Sequence, residues 1–421
     1  MNGLSDPRLS LRHFARRQVA RGALRPHEDD PRGPPSLAHF LAAPEPFMRA
    51  ALAGIKDGSY RPTPARIVTV MADKPRRIPR FSWLDECVLV HLGRTLQALV
   101  EPQLPESVWS FRPGRGQHRA LRVLGAHLRA RPTTTWWGLK RDVKSYGESL
   151  RHDAVVRDLE RFCAPSPELR HLVEVFSAYR FIDDDGAVVT NTIGLPTGSF
   201  FQLVFENLAF VELDRRLEAI PGVLHLRFGD DILFATPDRS IRDDAARALH
   251  AYAAARGLTL KVEKAVDFAL VRPHLITSHR ADGARAVVPH LGVHVRHDGA
   301  TRLAKAKMRR LTTYLLERLR AALEVLPSTS QDGRLQALIG CARRLFESDA
   351  LRARNPVIAL VRLIDDEQQL RELDRWIAVT VVRLAVGGAH KRSLFKKVSY
   401  RRLRTLGLPS LVHLRRCSAL R

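Results

Sequence analysis

Residues 224–236 read LHLRFGDDILFAT, two apolar runs closed by Gly229, Asp230 and Asp231. Strand-forming residues on both sides of a Gly-Asp-Asp turn predict a β-hairpin with two carboxylates at its tip. Such a pair needs explaining in a chain whose 69 Lys plus Arg outnumber 44 Asp plus Glu, for a net charge of +25. Taken alone, an Asp-Asp turn reads as a solvated hairpin tip. A second strand-like run, TTTWWGLKRDVKSY, ends in Asp142. Three carboxylates at neighbouring strand ends repel one another unless cations hold them, and this convergence suggests a divalent metal.

The totals set the class. A chain of 421 residues, 45% of them hydrophobic, has enough material for two or three domains with ample cores. The positive excess suits a polyphosphate partner, since each neutralised phosphate releases a condensed counterion. An Arg-rich composition without a bound partner is the plainer alternative. No apolar window of about 18 residues exists to span a bilayer, so no membrane association is expected. Cys87, Cys163, Cys341 and Cys417 are scattered, with neither zinc-ligand spacing nor a disulfide framework, which fits a reducing cytoplasm. The N-terminus has no secretory h-region. Its LRHFARRQVARGAL stretch reads as a basic helix that touches nucleic acid, with a transit peptide as the alternative. HEDDPRGPPS at 27–36 is a charged linker.

Helical periodicity is expected over 37–55, 85–100, 153–162, 168–179 and 243–256, with proline-broken extended segments before residue 80. LTLKVEKAVDF reads as a strand, PHLGVHVRHDG as a second hairpin, and GLPTGSFFQLVFENLAFVELDRRL as a loop followed by one long helix. Beyond Leu303 the pattern is helical with Arg on the polar faces, so a boundary is drawn there.

RDVKSYGESLRHD, GLPTGSFFQLVFENLAF, RFGDDILFA, GLTLKVEKA and HLGVHVRHDG follow one another in an order and spacing that resembles the palm motifs of bacterial reverse transcriptases. The lineages in question are the group II intron, diversity-generating and defence-associated ones. MADKPRRIPRFSWLDECVLVHL and SFRPGRGQHRAL resemble the fingers motifs of the same enzymes. The resemblance implies an α+β right-hand polymerase: a basic segment and linker over 1–36, fingers over 37–140, palm over 141–302, and a helical thumb with an RNA-binding region over 303–421. It implies two Mg2+ ions, with Mn2+ as a substitute, held by Asp142, Asp230, Asp231 and the Val143 carbonyl. Lys264 matches a lysine that protonates the leaving pyrophosphate, although a solvated strand-edge lysine is an equal reading. Lys74 and Arg77 match positions that grip the triphosphate. Gly194, Pro196, Thr197 and Gly198 shape the loop under the nucleotide base; in the plainer reading this loop is a helix-entry turn capped by Ser199. Arg112 and Arg115 match template contacts, and Leu291 and Gly292 a hairpin that grips the primer end. The implied partners are an RNA template or structured noncoding RNA, a DNA primer or product, deoxynucleoside triphosphates, and a partner protein or second copy of the chain.

Three departures from the family pattern matter. Two aromatics usually follow the first Asp by four and five residues; here those positions are Tyr146 and Gly147. The second aromatic normally excludes a ribose 2′-hydroxyl, so three readings stand. Discrimination against ribonucleotides is weakened, or Tyr146 swings over to replace the gate, or Gly147 admits a close approach to its backbone. Thr197 stands where Gln is common, which would loosen base selection. GSFFQL replaces the more frequent GSPLSP, with Phe200 and Phe201 either thickening a template wall or filling core. Neither an RNase H-like acidic set nor an endonuclease cluster is recognisable, so an anti-phage defence setting is expected over mobility. Two rival readings are a non-catalytic maturase-like RNA binder and a template-independent or protein-primed polymerase. Trp376 and Tyr400 stack bases or pack core; the sequence does not choose.

Overall fold

The computed structural model describes residues 40, 42–71, 75–278, 283–325, 330–347, 356–387 and 391–416. The chain divides into two compact units. One comprises the residues up to Gly116 together with Trp137–Asp267, the other Gln117–Trp136 with everything from Phe268 onward. The basic N-terminal segment and the 27–36 linker expected from sequence lie outside the described residues.

In the first unit the LHLRFGDDILFAT stretch forms the expected hairpin, with strands Leu224–Phe228 and Asp231–Thr236 antiparallel. Strand Trp136–Asp142 pairs antiparallel with the second of these, and Asp142 stands opposite Asp231. A second sheet orders Pro75–Arg80, Ala65–Met71, Arg180–Ile182 and Val188–Thr190. One continuous core runs beneath, built on Phe81, Leu92, Phe176, Phe201, Phe205 and Phe234, each at most 1% exposed. Helix Trp83–Val100 turns a broad apolar face to that core, and Ser82 caps it by accepting the Asp85 N–H. Asp85 in turn accepts from the Tyr60 hydroxyl at 2.6 Å and the Thr63 hydroxyl at 2.6 Å, so the preceding loop is fastened to the helix start.

The segment after GLPTG is two helices, Phe200–Leu208 and Val211–Glu218, where the sequence suggests one. The break puts Asp214 and the carbonyls of Glu206 and Asn207 around a single cation. Arg227, on the first hairpin strand and 1% exposed, meets Asp214 through Nε at 2.8 Å and Nη2 at 2.7 Å. The same guanidinium donates to the Asn207 carbonyl at 2.7 Å and the Glu206 carbonyl at 3.1 Å. His225 Nε2 lies 2.8 Å from the other Asp214 oxygen. Two further bonds tie the turn down: Gly229, at φ +63°, donates its N–H to Ser110 Oγ at 2.8 Å, and Ser110 Oγ donates to Asn207 Oδ1 at 2.8 Å.

LTLKVEKAVDF is not one strand. Only Val266–Leu270 is extended, and KVEKA is a turn whose backbone is pinned where Lys261 N–H donates to the Asp142 carbonyl at 2.8 Å.

The second unit carries the hairpin expected in PHLGVHVRHDG, Val287–His290 with Val293–Arg296, joined antiparallel to Thr301–Leu303. Most of its remainder is helical, including Gln117–Ala130, Lys305–Glu324, Gln331–Glu347 and Glu367–Val386. Leu315, Leu319, Leu338, Val381 and Ala385 are among the residues of its core. Trp376, on the last of these helices, is half-buried, and Tyr400 is 45% exposed.

Breaking a buried ion pair leaves an uncompensated charge, which costs about 3–5 kcal/mol. Burial pushes the Asp214 carboxyl up, but Arg227 and His225 outweigh it and leave the pKa below the ordinary carboxylate value. A depressed pKa contributes stability that is present above the unfolded carboxylate range and lost as the pH falls through the folded value. Arg227→Met is therefore expected to lower unfolding stability by about 3–5 kcal/mol in urea at neutral pH, and Asp214→Asn to flatten the acid limb of the stability curve. Unchanged urea midpoints for both would refute this account of the network.

Candidate active site

The hairpin tip and the end of strand Trp136–Asp142 bring Asp142, Asp230 and Asp231 to one place. Val143 N–H donates to the Asp230 carbonyl at 3.1 Å, which locks the two segments in register beside the carboxylates. Asp142 is 5% exposed. Burial and the neighbouring Asp142 carboxylate push the Asp230 pKa above its ordinary value, with Lys261 opposing them.

Three ammonium groups answer these charges. Lys264 Nζ donates to Asp142 Oδ2 at 2.8 Å, and that bond raises the lysine's pKa above its usual value. Lys261 Nζ contacts the other Asp142 oxygen and stands 3.6 Å from Asp230 Oδ2. Lys140 Nζ lies 3.3 Å from Asp231 Oδ2. Lys264 thus sits in a turn and points into the acidic site, rather than along a strand edge. Lys261 and Lys140 were not singled out by sequence; the spacing of two lysines three apart across one turn is the available signal. Among the described residues no three His, Cys, Asp or Glu side chains are already arranged around a metal position. The donor chemistry nevertheless suits one: Asp142 and Asp230 are hard oxygen ligands whose mutual repulsion shows in the raised Asp230 pKa.

Around this centre the two motifs read separately in sequence are bonded together. Leu195 N–H donates to the Gly147 carbonyl and Gly194 N–H to the Leu150 carbonyl, both at 2.9 Å. A Cβ on Gly194, at φ +81°, would strike the Glu148 backbone. Ser199 caps helix Phe200–Leu208 by accepting the Gln202 N–H at 3.2 Å, and it donates its hydroxyl to the Pro196 carbonyl at 2.7 Å. Thr197 is half-buried in this loop. Phe201 is buried in the core and Phe200 packs partly buried against it, so the second reading of that pair holds.

Tyr146 does not swing over the site. Its ring is buried edge-on against Phe210, and its hydroxyl donates to the Glu206 carbonyl at 2.5 Å. Gly147 serves close approach: a Cβ there would overlap the Gln202 side chain. Gln202 accepts from Gly198 N–H at 3.0 Å and donates to Glu206 Oε1 at 2.7 Å. Burial pushes the Glu206 carboxyl up to about 7, with Gln202 opposing and the Asp230 charge adding to the rise. Neither Gln202 nor Glu206 was picked out from sequence.

Residues 86–295 match the family model described as reverse transcriptase (RNA-dependent DNA polymerase). The chain carries a reverse transcriptase domain. Such a domain is the nucleotidyltransferase unit of RNA-directed DNA polymerases, and the right-hand polymerase fold goes with it. An uncharacterized 91 kDa protein in a cob intron of Schizosaccharomyces pombe is 25% identical over 168 residues, 39% of this chain and 20% of the relative. Among solved structures, telomerase from Candida albicans with a TWJ fragment of telomeric RNA matches at 12% identity and TM-score 0.45. That alignment covers 85% of this chain and 65% of the telomerase. Apo telomerase from Candida tropicalis matches at 10% identity and TM-score 0.48, over 82% and 69% of the two chains.

Lys74 lies outside the described residues. Arg77 is exposed and ion-paired with Asp184 at 3.2 Å. Arg112 does not present its charge to solvent. It is 8% exposed, with Nε on Glu101 at 2.9 Å and Nη1 on the Pro105 and Val108 carbonyls, so it braces its own loop. Arg115 pairs with Glu106 and stacks on Trp109 with its guanidinium 4.9 Å from the ring centroid. Leu291, at φ +49°, and Gly292, at φ +72°, form the turn of the second unit's hairpin. There the Leu291 carbonyl accepts from Lys307 Nζ at 2.7 Å.

A carboxyl held up near 7 favours the fold below its unfolded pKa, and that advantage is lost as the pH rises through the folded value. Stability is therefore expected to fall between about pH 4.5 and about pH 7 through Glu206. Glu206→Gln removes that loss and should stabilise the protein at pH 8 by on the order of 3 kcal/mol. Urea melts at pH 5 and pH 8 check it; equal effects of the substitution at both would refute the assignment.

Proposed function

We propose that this protein is an RNA-directed DNA polymerase that adds deoxynucleotides to a primer at Asp142 and Asp230. The single observation that supports this most is the fixed meeting of Asp142, Asp230 and the Val143 backbone within a reverse transcriptase domain. Asp142, Asp230 and the Val143 carbonyl would hold divalent ions, with Asp231 as the third acidic position. Magnesium ions held there would supply the charge that lowers the pKa of the attacking hydroxyl and stabilises the leaving group. The chain's own part is positional. The buried Arg227 anchor fixes the hairpin, and the Val143–Asp230 bond sets the separation of the carboxylates. Lys264, protonated and bonded to Asp142, is the donor for the leaving pyrophosphate. Lys74 and Arg77 grip the triphosphate, Pro196, Thr197 and Gly198 floor the nucleotide, Arg115 reaches the template, and Leu291 and Gly292 hold the primer end.

The division into fingers, palm and helical thumb follows the motif order, and the net charge of +25 supports a structured RNA as template. The motif resemblance to bacterial defence-associated lineages favours a defence setting. Intact Asp142, Asp230, Asp231 and Lys264 argue against a pure RNA binder, which gains nothing from clustered like charges.

Nucleic acid that copurifies with the wild type is expected to include DNA complementary to one bound RNA, absent with Asp230→Ala. Sequencing both samples checks this; equal DNA content in the two would end the polymerase reading.

The packing of Gln202 over Gly147 supports a second expectation. Gln202 occupies the space of the missing aromatic, so it sets sugar selection at the nucleotide. Gln202→Ala is expected to reduce the preference for deoxyribonucleotides over ribonucleotides by about tenfold or more. Parallel single-nucleotide incorporation measures this, and an unchanged ratio removes Gln202 from the role.

A further inference from the structure

The second unit contains a half-enclosed cavity of about 300 Å³ whose wall is dominated by guanidinium groups. Helix Gln117–Ala130 supplies His118, Arg122 and Arg129; the segment before helix Glu367–Val386 supplies Arg362 and Asp365; the C-terminal helix Leu411–Arg416 supplies Arg415. Four fixed positive charges thus face one carboxylate.

That carboxylate is already engaged. Arg415 pairs with one oxygen of Asp365, and the Thr301 hydroxyl donates to the other at 3.3 Å. Arg129 donates to the Gly299 carbonyl at 3.1 Å, a neutral partner that leaves its charge unbalanced. Arg122 and Arg362 have no acidic partner among the described residues, and the buried Nε of Arg362 has no hydrogen-bond acceptor. The field is felt by His118: burial, then Arg122, and further Arg415 and Arg362 hold its pKa below the ordinary imidazole value, against a hydrogen bond to the Arg362 backbone.

Like charges gathered around one small volume repel one another, so the fold carries this arrangement at a cost. Guanidinium forks match phosphoryl oxygens in pairs, and several forks around one small volume are the arrangement that recognises them. Among the described residues no Phe, Tyr or Trp lines the cavity, so they provide no platform for a stacked nucleobase. A volume of about 300 Å³ is at the lower end for ligand pockets and suits a group of a few phosphates.

We propose that this arginine cavity binds a phosphoryl anion, separately from the acidic site of the reverse transcriptase domain. The anion is either the phosphate chain of a small molecule or a phosphate of bound nucleic acid. In both cases Arg122 and Arg362 supply the uncommitted donors.

The test is calorimetric titration of sodium tripolyphosphate into the full chain, with EDTA present so that metal-bridged binding at the carboxylates does not contribute. The wild type and Asp230→Ala are expected to bind one equivalent alike. Arg122→Gln and Arg362→Gln are each expected to weaken that binding at least about tenfold, while Arg157→Gln, an exposed arginine elsewhere, leaves it unchanged. Equal binding by all variants, or an equal loss with Arg157→Gln, overturns the proposal. Should Arg362→Gln fail to fold by thermal melting, the exposed Arg122→Gln and the charge-keeping Arg362→Lys carry the same decision. Affinity for a 12-nucleotide RNA then separates the two sources. RNA binding that is weakened in Arg362→Gln and displaced by tripolyphosphate identifies a nucleic-acid phosphate; RNA binding unaffected by both identifies a free phosphate chain. Loss of activity in Asp230→Ala with tripolyphosphate binding intact keeps the two sites distinct.

Discussion

A guanidinium with almost no exposed surface is the constraint on which the geometry of the acidic site rests. Arg227 satisfies Asp214 on one helix and the carbonyls that end the helix before it, while its own strand carries the turn to Asp230. The backbone of the same residue accepts from Trp109 N–H at 2.9 Å and donates to the Ser107 carbonyl at 2.8 Å. Helix break, loop 107–110 and hairpin are therefore fixed by one side chain and its peptide unit. An ion pair so buried is weak evidence for net stability, because desolvating both charges costs nearly what their attraction returns. What it provides is uniqueness of position: any shift of the hairpin by one residue would strand a charge in the core.

From that fixed hairpin follows the electrostatics of the site. Burial and the Asp142 carboxylate raise the cost of ionising Asp230, and Lys261 opposes them, while Lys264 pairs with Asp142 and Lys140 with Asp231. Lys264 gains a higher pKa from its bond to Asp142. A firmly protonated lysine is a poor acid while it holds that carboxylate, since proton transfer is easiest when the donor's pKa lies near the working pH. The donor role proposed for it would therefore require that the carboxylate charge be taken up by something else, and divalent ions at Asp142 would do so. In the proposed mechanism metal binding and acid function are thus one requirement, linked through a single carboxylate.

The legible part of this protein was the part written in local pattern. Alternating apolar runs with a Gly-Asp-Asp turn specify a hairpin by themselves, and TTTWWGLKRD reads as a strand ending on Asp142 because β-branched and aromatic residues precede the carboxylate. Residues whose meaning is tertiary were not legible. Arg112 in SFRPGRG looks like a surface arginine until three acceptors from its own loop surround it. KVEKA has the composition of an exposed strand, yet the Asp142 carbonyl captures the Lys261 N–H and bends the segment into a turn. The break between Leu208 and Val211 has no proline or glycine to announce it; it follows from the carbonyls that Arg227 draws on.

Gly147 and Gln202 carry this lesson furthest. Each is a departure when read in its own motif: a glycine where an aromatic is usual, and a long amide in GSFFQL where a small residue is usual. In space they form one exchange of volume, the amide filling what the missing ring leaves open. The exchange alters chemistry as well as shape, because a flat apolar face is replaced by an amide bonded to Gly198 N–H and to a carboxyl that titrates near 7. A ring excludes a hydroxyl by bulk alone, whereas an amide can also bond to one. If Gln202 bounds the nucleotide sugar as proposed, selection there depends on how firmly Glu206 and Gly198 hold its amide, and so on the protonation of Glu206.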